Sequence, residues 1–327
     1  AEGWSTKLVD VFDIYQAYGY GMATPLAIED YLEDAKQTGY THVQLVGAAS
    51  YDYRDYLGLG SVNFIPSIYE HTAGIINYTP CDSCLVMDDS LKPMAAVGRF
   101  PVHSVTELQS MINKGKAWAG GQGAQKTTLL IADANEDDND FISQVEETTQ
   151  QLLDAGWNDP ARVYLDDAIT AAVGDVDAAV AAAKADIIAN LEAGTSITVF
   201  SGHGAPSTWS FKGMLRHEDI AGINNVGRPT LALPLTCYTT YAESPYTSSL
   251  AHQLMAAGEN AAVAVYGAST LSGFEDNSAM GTRVISGLLA DQTLGESIMN
   301  GKNDLGSTYR DVIINSNLLG DVTLKLQ

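Results

Sequence analysis

A histidine and a cysteine each follow a short apolar run, and their types and spacing suggest nucleophilic chemistry. His203 stands between glycines directly after SITVF, and Cys237 comes 34 residues later, just after TLALPL. If both runs are parallel strands joined by one crossover, their carboxyl ends meet at one sheet edge, where α/β proteins keep their chemistry. A thiol could then attack a carbonyl while an imidazole protonates the leaving amine.

The glycine after the histidine could serve the same reaction. Gly204 permits a close backbone approach, so its N–H and that of Cys237 are natural donors to an oxyanion. Alone, each residue fits a plainer interpretation, since a cysteine after an apolar run is often a buried core thiol and a Gly-flanked histidine is often a turn residue. The other histidines lack a strand-end cysteine at crossover distance and are interpreted as structural or surface residues: His42, His71, His103, His217 and His252.

Apolar, β-rich runs alternate with helix-length segments along the chain. The runs HVQLVG, TTLLIAD, ARVYLDD, SITVFSG, PTLALPLTC and AAVAVYGAS predict strands of parallel βαβ units. Helices are clearest at TPLAIEDYLEDAKQTG, with Thr24 as N-cap and Pro25 in the first turn, and at DVDAAVAAAKADIIANLEAG, which ends at a glycine. A Gly-rich segment separates two blocks, predicting an N-terminal α/β subdomain over 1–120 and a catalytic subdomain over 121–327.

Composition narrows the function classes. The chain has 327 residues, 46% of them hydrophobic, and a formal net charge of −23. This charge repels nucleic acid and anionic membranes, so we expect neither as a partner. No apolar run is long enough to span a bilayer, and the start AEGWSTKLVD has no signal pattern, so the protein is either cytosolic or has lost its targeting segment.

Several familiar catalytic and nucleotide-binding motifs are missing from the sequence. Phosphate-binding loops, dinucleotide fingerprints, serine-esterase elbows and zincin helices are absent.

Cys81 and Cys84 form CDSC, which fits a local disulfide or two ordinary thiols. Half of a zinc site is also possible, although a structural zinc needs four ligands.

The acidic stretch DANEDDND matches the ligand pattern of a calcium-binding loop only in part. Asp133, Asn135 and Asp137 match the first three ligand positions of a calcium loop, but Asp138 and Gln144 stand where an EF-hand needs glycine and glutamate. An EF-hand is therefore rejected. A solvated loop, an irregular calcium site and a substrate-facing acidic wall remain open.

Longer segments carry a family resemblance. ITVFSGHGAPSTW, LPLTCYTTYAESPYTSSLAHQLMAAGENAAVAVYGASTLS, THVQLVGAASYDYRD, DDSLKPMAAVGRFPVHSVTEL and NLLGDVTLKL resemble segments of the gingipain-type cysteine peptidases of the caspase-like clan. The resemblance spans most of the chain. It implies a caspase-like three-layer α/β sandwich with a mainly parallel sheet and two side-by-side subdomains.

The resemblance also implies roles for residues. Cys237 matches the nucleophile and His203 the general acid/base, whereas Thr236 stands where many members have alanine. Glu136 is the nearest match for the acid that supports the histidine, and Asp140 for an acid in the specificity pocket. Trp209 is a candidate wall of the substrate site, with a core position as the alternative. We further expect the surroundings of Cys237 to lower the pKa of its thiol from about 8.5.

The resulting hypothesis is a cysteine endopeptidase that hydrolyses peptide bonds, after Arg or Lys if Asp140 or a neighbour lines the pocket. A sortase-like transpeptidase of the same family and a catalytically idle binding module are the alternatives. We expect a protein or peptide substrate, no cofactor required for the chemistry, and a structural calcium as an open possibility. Family habit and the acidic surface favour a bacterial protein that is secreted or displayed on the cell surface, with its signal segment absent from this chain.

Overall fold

The computed structural model describes residues 3–326, which form an eight-stranded sheet with helices on both faces. In spatial order the strands are β1 (His42–Val46), β4 (Ala96–Phe100), β13 (Ser316–Leu319), β12 (Ala262–Ala268), β11 (Thr230–Leu235), β7 (Ile197–Ser201), β5 (Thr128–Ala132) and β6 (Ala161–Tyr164). All neighbouring pairs are parallel except β12 with β13. All six strand predictions are confirmed.

The helices complete a three-layer arrangement. They are α1 (Val11–Tyr18), α2 (Pro25–Ala35), α3 (Val105–Ala119), α4 (Phe141–Glu146), α5 (Thr149–Asp154), α6 (Leu165–Ala171), α7 (Val176–Ala193), α8 (Leu250–Ala256), α9 (Phe274–Leu289), α10 (Leu294–Asp304) and α11 (Arg310–Asn315). Side chains of α4, α9 and α10 pack in one core, and those of α3, α6, α7 and α8 pack in a second. The predicted caspase-like α/β class with a mainly parallel sheet is confirmed.

The central strands are buried on both faces, which explains their unbroken apolar runs. In β5, Leu130 enters the first core while Leu129 and Ile131 enter the second. Strand β7 divides in the same way, with Val199 on one face and Phe200 on the other. Both strands therefore need apolar residues on both faces rather than at alternate positions only.

A third core and two small sheets complete the fold. Side chains of α1, α2, β1 and β4 form the third core at one end of the large sheet. The strands β2 (Ile68–Thr72) and β3 (Ile76–Cys81) form a hairpin, and β8 (Gly204–Ala205), β9 (Thr208–Trp209) and β10 (Leu215–Arg216) form a three-stranded sheet beyond β7. The large sheet runs continuously from β1 to β6, so the subdomain boundary near residue 120 stays a prediction.

Local sequence signals place the two clearest helices. Pro25 occupies the first turn of α2 after Thr24, and α7 ends at Gly194, whose φ of 98° is a left-handed C-cap conformation. Asp175 caps the start of α7 by accepting a hydrogen bond from Ala178 N–H. Within residues 3–326, every helix is too short or too polar to cross a bilayer.

Candidate active site

The sheet register brings His203 and Cys237 to the same edge. Ser201, the last residue of β7, lies opposite Leu235, the last residue of β11. His203 and Cys237 each follow two residues after these paired ends. Two parallel neighbouring strands therefore deliver an imidazole and a thiol to one edge, as the spacing predicts.

Gly204 lets the histidine segment lie directly against the cysteine segment. A Cβ placed on Gly204 would be 2.6 Å from the Cys237 carbonyl oxygen and 2.7 Å from Thr236 Oγ1. Thr236 is buried, and its hydroxyl donates a hydrogen bond to the Gly202 carbonyl. The threonine thus fastens the end of β11 to the end of β7 and holds the two segments in contact.

The thiol lies in a partly buried setting that disfavours its ionised form. In the part of the chain that the structure describes, Cys237 Sγ hydrogen bonds with the Ser272 backbone rather than with His203; it donates to the carbonyl oxygen and accepts from the N–H, both at 3.4 Å. Burial raises the pKa of the Cys237 thiol, and the backbone hydrogen bonds of Ser272 and Cys237 offset this only in part. The expected lowering of the thiol pKa is therefore wrong for the substrate-free protein.

His203 is held by Glu136. Both carboxylate oxygens of Glu136 lie 3.1 Å from His203 Nε2. Glu136 follows β5, the strand beside β7, and its N–H donates to the Asn139 carbonyl in a tight loop. The hydrogen bond and charge of His203 lower the pKa of the Glu136 carboxyl. The carboxylate thus fixes the ring through Nε2, and Nδ1 is the nitrogen left to exchange a proton.

Two phenylalanines that the sequence analysis did not select surround the imidazole. Phe211 stacks on the His203 ring with centroids 4.9 Å apart and planes 6° from parallel. Phe141, the first residue of α4, meets the same ring edge-on at 5.5 Å. Phe211 is 68% exposed, so it covers the imidazole from the solvent side. No short sequence pattern identifies Phe211, because its exposure depends on the backbone turn that precedes it.

Trp209 belongs to the core, which corrects its assignment as a substrate-binding residue. Its side chain is 1% exposed and stacks on Phe200 at 5.1 Å. Ser210 has a φ of 59°, and this left-handed residue follows β9 between Trp209 and Phe211. Phe211 therefore covers the site while Trp209 packs in the core.

Asp140 is a helix cap rather than a free pocket acid. Its carboxylate accepts hydrogen bonds from Ser143 N–H, Ser143 Oγ and Asn135 Nδ2, at 2.7–2.9 Å. The hydrogen bond from the Ser143 backbone is the main cause of its lowered pKa. These contacts direct the carboxylate towards the start of α4 and its own loop.

The buried polar side chain that bridges the two catalytic segments is Gln144. It is 2% exposed, accepts a hydrogen bond from the Ser201 hydroxyl, and donates to the Phe274 carbonyl at 2.7 Å. Ser201 lies two residues before His203, and Phe274 lies two residues after Ser272, which holds the thiol. Besides the Thr236 contact, a neutral amide thus links the histidine segment to the segment that holds the thiol, and no short motif predicts this link.

Two of the side chains that match ligand positions of a calcium loop already have partners within the protein. Asp133 is buried, accepts a hydrogen bond from Ala134 N–H, and lies 3.7 Å from the Lys212 ammonium. Asn135 Oδ1 accepts a hydrogen bond from Ile142 N–H. These contacts would compete with a calcium ion for the two side chains, and a structural calcium stays a prediction.

The other cysteines are joined to each other. Cys81 and Cys84 form a disulfide at the end of β3, which excludes the half zinc site. All three cysteines lie within residues 3–326, and Cys237 is the free thiol.

The three strand ends together supply the groups that peptide-bond cleavage by a thiol requires. A thiol can act as a nucleophile, an imidazole can carry a proton, and a carboxylate can stabilise an imidazolium, so Cys237, His203 and Glu136 have the side chains for this chemistry. Exposure of His203 and Glu136 keeps this edge open to a polypeptide.

Comparisons with known proteins agree with this chemistry. The sequence profile of Peptidase family C25 matches residues 1–327. No curated protein matches the chain. Similar solved structures include the Arg-specific cysteine proteinase gingipain R (RgpB), at a TM-score of 0.72 and 16% identity over 93% of this chain and 69% of that one.

Two further structures show the same fold. The complex of the pro- and mature domains of RgpB from Porphyromonas gingivalis has a TM-score of 0.72 and 16% identity, covering 93% of this chain and 70% of that one. A structure described as a protease has a TM-score of 0.70 and 16% identity over 92% and 68% of the respective chains. Because the family profile matches the whole sequence, the chain belongs to Peptidase family C25 and is a cysteine peptidase.

Proposed function

We propose that this protein is an endopeptidase that cleaves peptide bonds through Cys237 and His203, with Glu136 as the residue that positions the histidine. The observation that carries the proposal is the paired register of β7 and β11, which sets both side chains two residues beyond one sheet edge. The hydrogen bond between Glu136 and His203 supports it independently, because that carboxylate comes from a third strand end.

The resting geometry suggests when the nucleophile is activated. The thiol is hydrogen bonded to the Ser272 backbone in the free protein, so this proposal requires substrate binding to bring it to His203 before it attacks. His203 then takes the thiol proton, sulfur bonds to the carbonyl carbon, and the imidazolium returns the proton to the leaving amine. Water hydrolyses the resulting thioester. The N–H groups of Gly204 and Cys237 are the proposed donors to the oxyanion.

We propose Arg or Lys before the cleaved bond. Asp137 and Asp138 are exposed in the loop that carries Glu136, and the net charge of −23 draws cationic segments towards the protein. The Gln144 side chain near the histidine segment is neutral, and the Asp140 carboxylate is hydrogen bonded at the start of α4. The surface acids therefore account for this preference better than Asp140 does.

A secreted or surface location completes the proposal. The Cys81–Cys84 disulfide supports it, because disulfides persist in oxidising compartments. A disulfide of this kind is uncommon in proteins that stay in a reducing cytosol.

The decisive experiment is hydrolysis of fluorogenic peptides that differ only at the residue before the cut. We expect the native chain to turn over Arg and Lys peptides, and Cys237→Ala and His203→Ala to lose turnover. His71→Ala, a substitution at an exposed histidine elsewhere, should retain it.

Other outcomes have distinct meanings. Preference for uncharged residues would reject the Arg/Lys proposal and leave the peptidase intact. Equal activity in Cys237→Ala would reject the catalytic proposal. A product ratio that shifts towards aminolysis when an acceptor amine is added would favour a transpeptidase.

A further inference from the structure

Three side chains with metal-binding atoms meet where α3 and α8 begin. His103, Glu107 and His252 each offer one nitrogen or oxygen, and these three atoms lie within 4.8 Å of one another. The rings of His103 and His252 are stacked with centroids 4.5 Å apart. Residues 103 and 107 belong to the N-terminal block of the chain, whereas residue 252 comes almost 150 positions later, so the cluster is a product of the fold.

Local hydrogen bonds hold this cluster in position. Glu107 is the third residue of α3, where Ser104 Oγ accepts its N–H, and its own Oε2 accepts the His103 N–H at 2.7 Å. His252 is the third residue of α8, and its N–H donates to Ser249 Oγ at 3.1 Å. The backbones of all three residues are thus fixed by hydrogen bonds at helix starts before any ligand arrives.

The buried histidine carries an unexplained polar atom. His252 is 7% exposed, and within residues 3–326 its Nε2 has no hydrogen-bond partner. Glu107 Oε2 lies 3.7 Å from that nitrogen, which is beyond a good hydrogen bond. Buried polar atoms nearly always have a hydrogen-bond partner in folded proteins. The unpaired Nε2 of His252, which lies near the Glu107 carboxylate, therefore indicates that a ligand is missing from this position.

The other ring nitrogen of His252 already has the partner that a metal ligand needs. Nδ1 lies 3.0 Å from Ser248 Oγ, which can accept its proton. Gln253 Nε2 also donates to Ser248 Oγ, at 2.8 Å, and so holds that hydroxyl in place. This arrangement leaves a lone pair on Nε2, as outer partners do for metal-bound histidines.

We propose that His103, Glu107 and His252 bind one zinc ion or a closely related divalent transition metal. Two imidazoles and one carboxylate are a recurring donor set for Zn²⁺, with the remaining position filled by water. Calcium and magnesium prefer oxygen-only shells and are expected to bind poorly here. A metal bound by the three donor atoms would also satisfy the unpaired Nε2 of His252 and accept electron density from all three groups.

Such an ion would link two segments of the chain that are distant in sequence. The β4–α3 segment supplies two ligands and α8 supplies the third. The N–H of Leu250, the first residue of α8, donates to the Pro206 carbonyl at 2.6 Å, and Pro206 lies two residues beyond Gly204. The bound metal would therefore steady the helix on which the histidine loop rests, which is a stabilising role separate from the cleavage reaction.

The test must exclude binding at the active site, because a thiol and a histidine can also take zinc. We would strip the Cys237→Ala chain with a chelator and titrate it with Zn²⁺ by calorimetry. We expect one equivalent to bind and the unfolding temperature to rise by about 2–4 °C at saturating metal. Cobalt in place of zinc should give a visible absorption band from the mixed nitrogen and oxygen ligands.

Variants in the same background locate the ion. His103→Ala and Glu107→Gln should each weaken zinc binding at least about 10-fold. His103 is exposed, and the side-chain amide introduced by Glu107→Gln keeps an oxygen that can accept the His103 N–H, so both chains should fold even if His252→Ala does not. His71→Ala should bind as tightly as the parent.

Two results would overturn the proposal: no saturable binding by the parent chain, or unchanged binding in both His103→Ala and Glu107→Gln. Because binding and unfolding are measured without turnover, failure here leaves the peptidase proposal unaffected, and failure of the peptidase proposal leaves this one standing.

Discussion

Glu136 holds His203 by a single ring nitrogen, with both carboxylate oxygens 3.1 Å from Nε2. The pair joins the loop after β5 to the loop after β7. Because the imidazole has only two nitrogens, this contact decides which of them can serve the thiol and the leaving amine.

The first prediction concerns that contact. Glu136→Gln should lower kcat/KM by about 10- to 100-fold, less than the loss of a full acid–base group, because the amide can orient the ring but cannot stabilise its charge. Steady-state kinetics on one peptide would measure it. Asp177→Asn removes an exposed charge on α7 and should have little effect; an equal loss in both variants would mean that only the overall negative charge of the protein matters.

A second prediction concerns the protonation of the nucleophile. Burial raises the pKa of Cys237, so the thiolate fraction in the free protein should be small at neutral pH and grow as the pH rises above the ordinary thiol range. The rate of alkylation by iodoacetamide, followed from about pH 6 to 10, should climb throughout. Cys237→Ala gives the background labelling, and a plateau already reached at neutral pH would contradict the expectation.

Gly204 provides a third test. Gly204→Ala would place a methyl group 2.6 Å from the Cys237 carbonyl oxygen, so the two segments must move apart. We expect a stability loss of about 1–3 kcal/mol and an activity loss of roughly 100-fold. Gly222→Ala is the matched control, because apart from its chain neighbours and its own helix backbone nothing lies within 4 Å of its Cβ position. Full activity in Gly204→Ala would show that the close approach is dispensable.

The fourth prediction isolates the aromatic cover. Phe211→Ala removes a ring stacked on His203 and should reduce kcat/KM by about 2- to 10-fold without loss of stability, since the side chain is largely exposed. Phe211→Tyr keeps the ring and should keep the activity. If both variants behave alike, stacking has no part in orienting the histidine.

A fifth prediction links pH to stability through Glu243. Burial, followed by the nearby Asp82 charge, raises the pKa of this carboxyl to about 8. The folded protein therefore retains a proton that the unfolded chain releases near its ordinary pKa of 4.5, and the resulting contribution to stability is lost as the pH rises towards 8. The slope is at most about 1.4 kcal/mol per pH unit. Chemical unfolding of Glu243→Gln from about pH 5 to 8 should show a flatter profile than the parent, and Glu33→Gln, at an exposed carboxylate, should not.

Site residues that lie at strand ends can be predicted from the sequence. Site residues whose position depends on loop conformation cannot. Cys237 and His203 can be found because a parallel sheet aligns its carboxyl edges, and six strands follow from apolar runs. Trp209 and Phe211 cannot be told apart in this way, since one left-handed residue, Ser210, determines which ring covers the histidine. Gln144 is equally hidden, because its role depends on hydrogen bonds to residues 57 and 130 positions away.

The surroundings that ionisable side chains meet in the folded protein are the second feature that the sequence does not predict. An acidic thiol is the natural expectation because reactive cysteines commonly have one, yet the burial of Cys237 against Ser272 has the opposite effect. His103 and His252 look like structural or surface residues in the sequence because neither follows a catalytic strand. Their meeting depends on how α3 packs against α8, which no local pattern encodes.

The position of strand β13 in the large sheet has a consequence for the order in which the protein folds. It lies between β4 and β12, and the pairing of Arg99 with Leu319 joins positions 220 residues apart. The β1–β4 pair therefore cannot join the rest of the large sheet until the final described strand has been synthesised and has docked. Contacts this distant in sequence form late and slowly. A nascent chain that already contains Cys237 and His203 still lacks the strand that completes its scaffold, so assembly itself delays the first moment at which the peptidase can act.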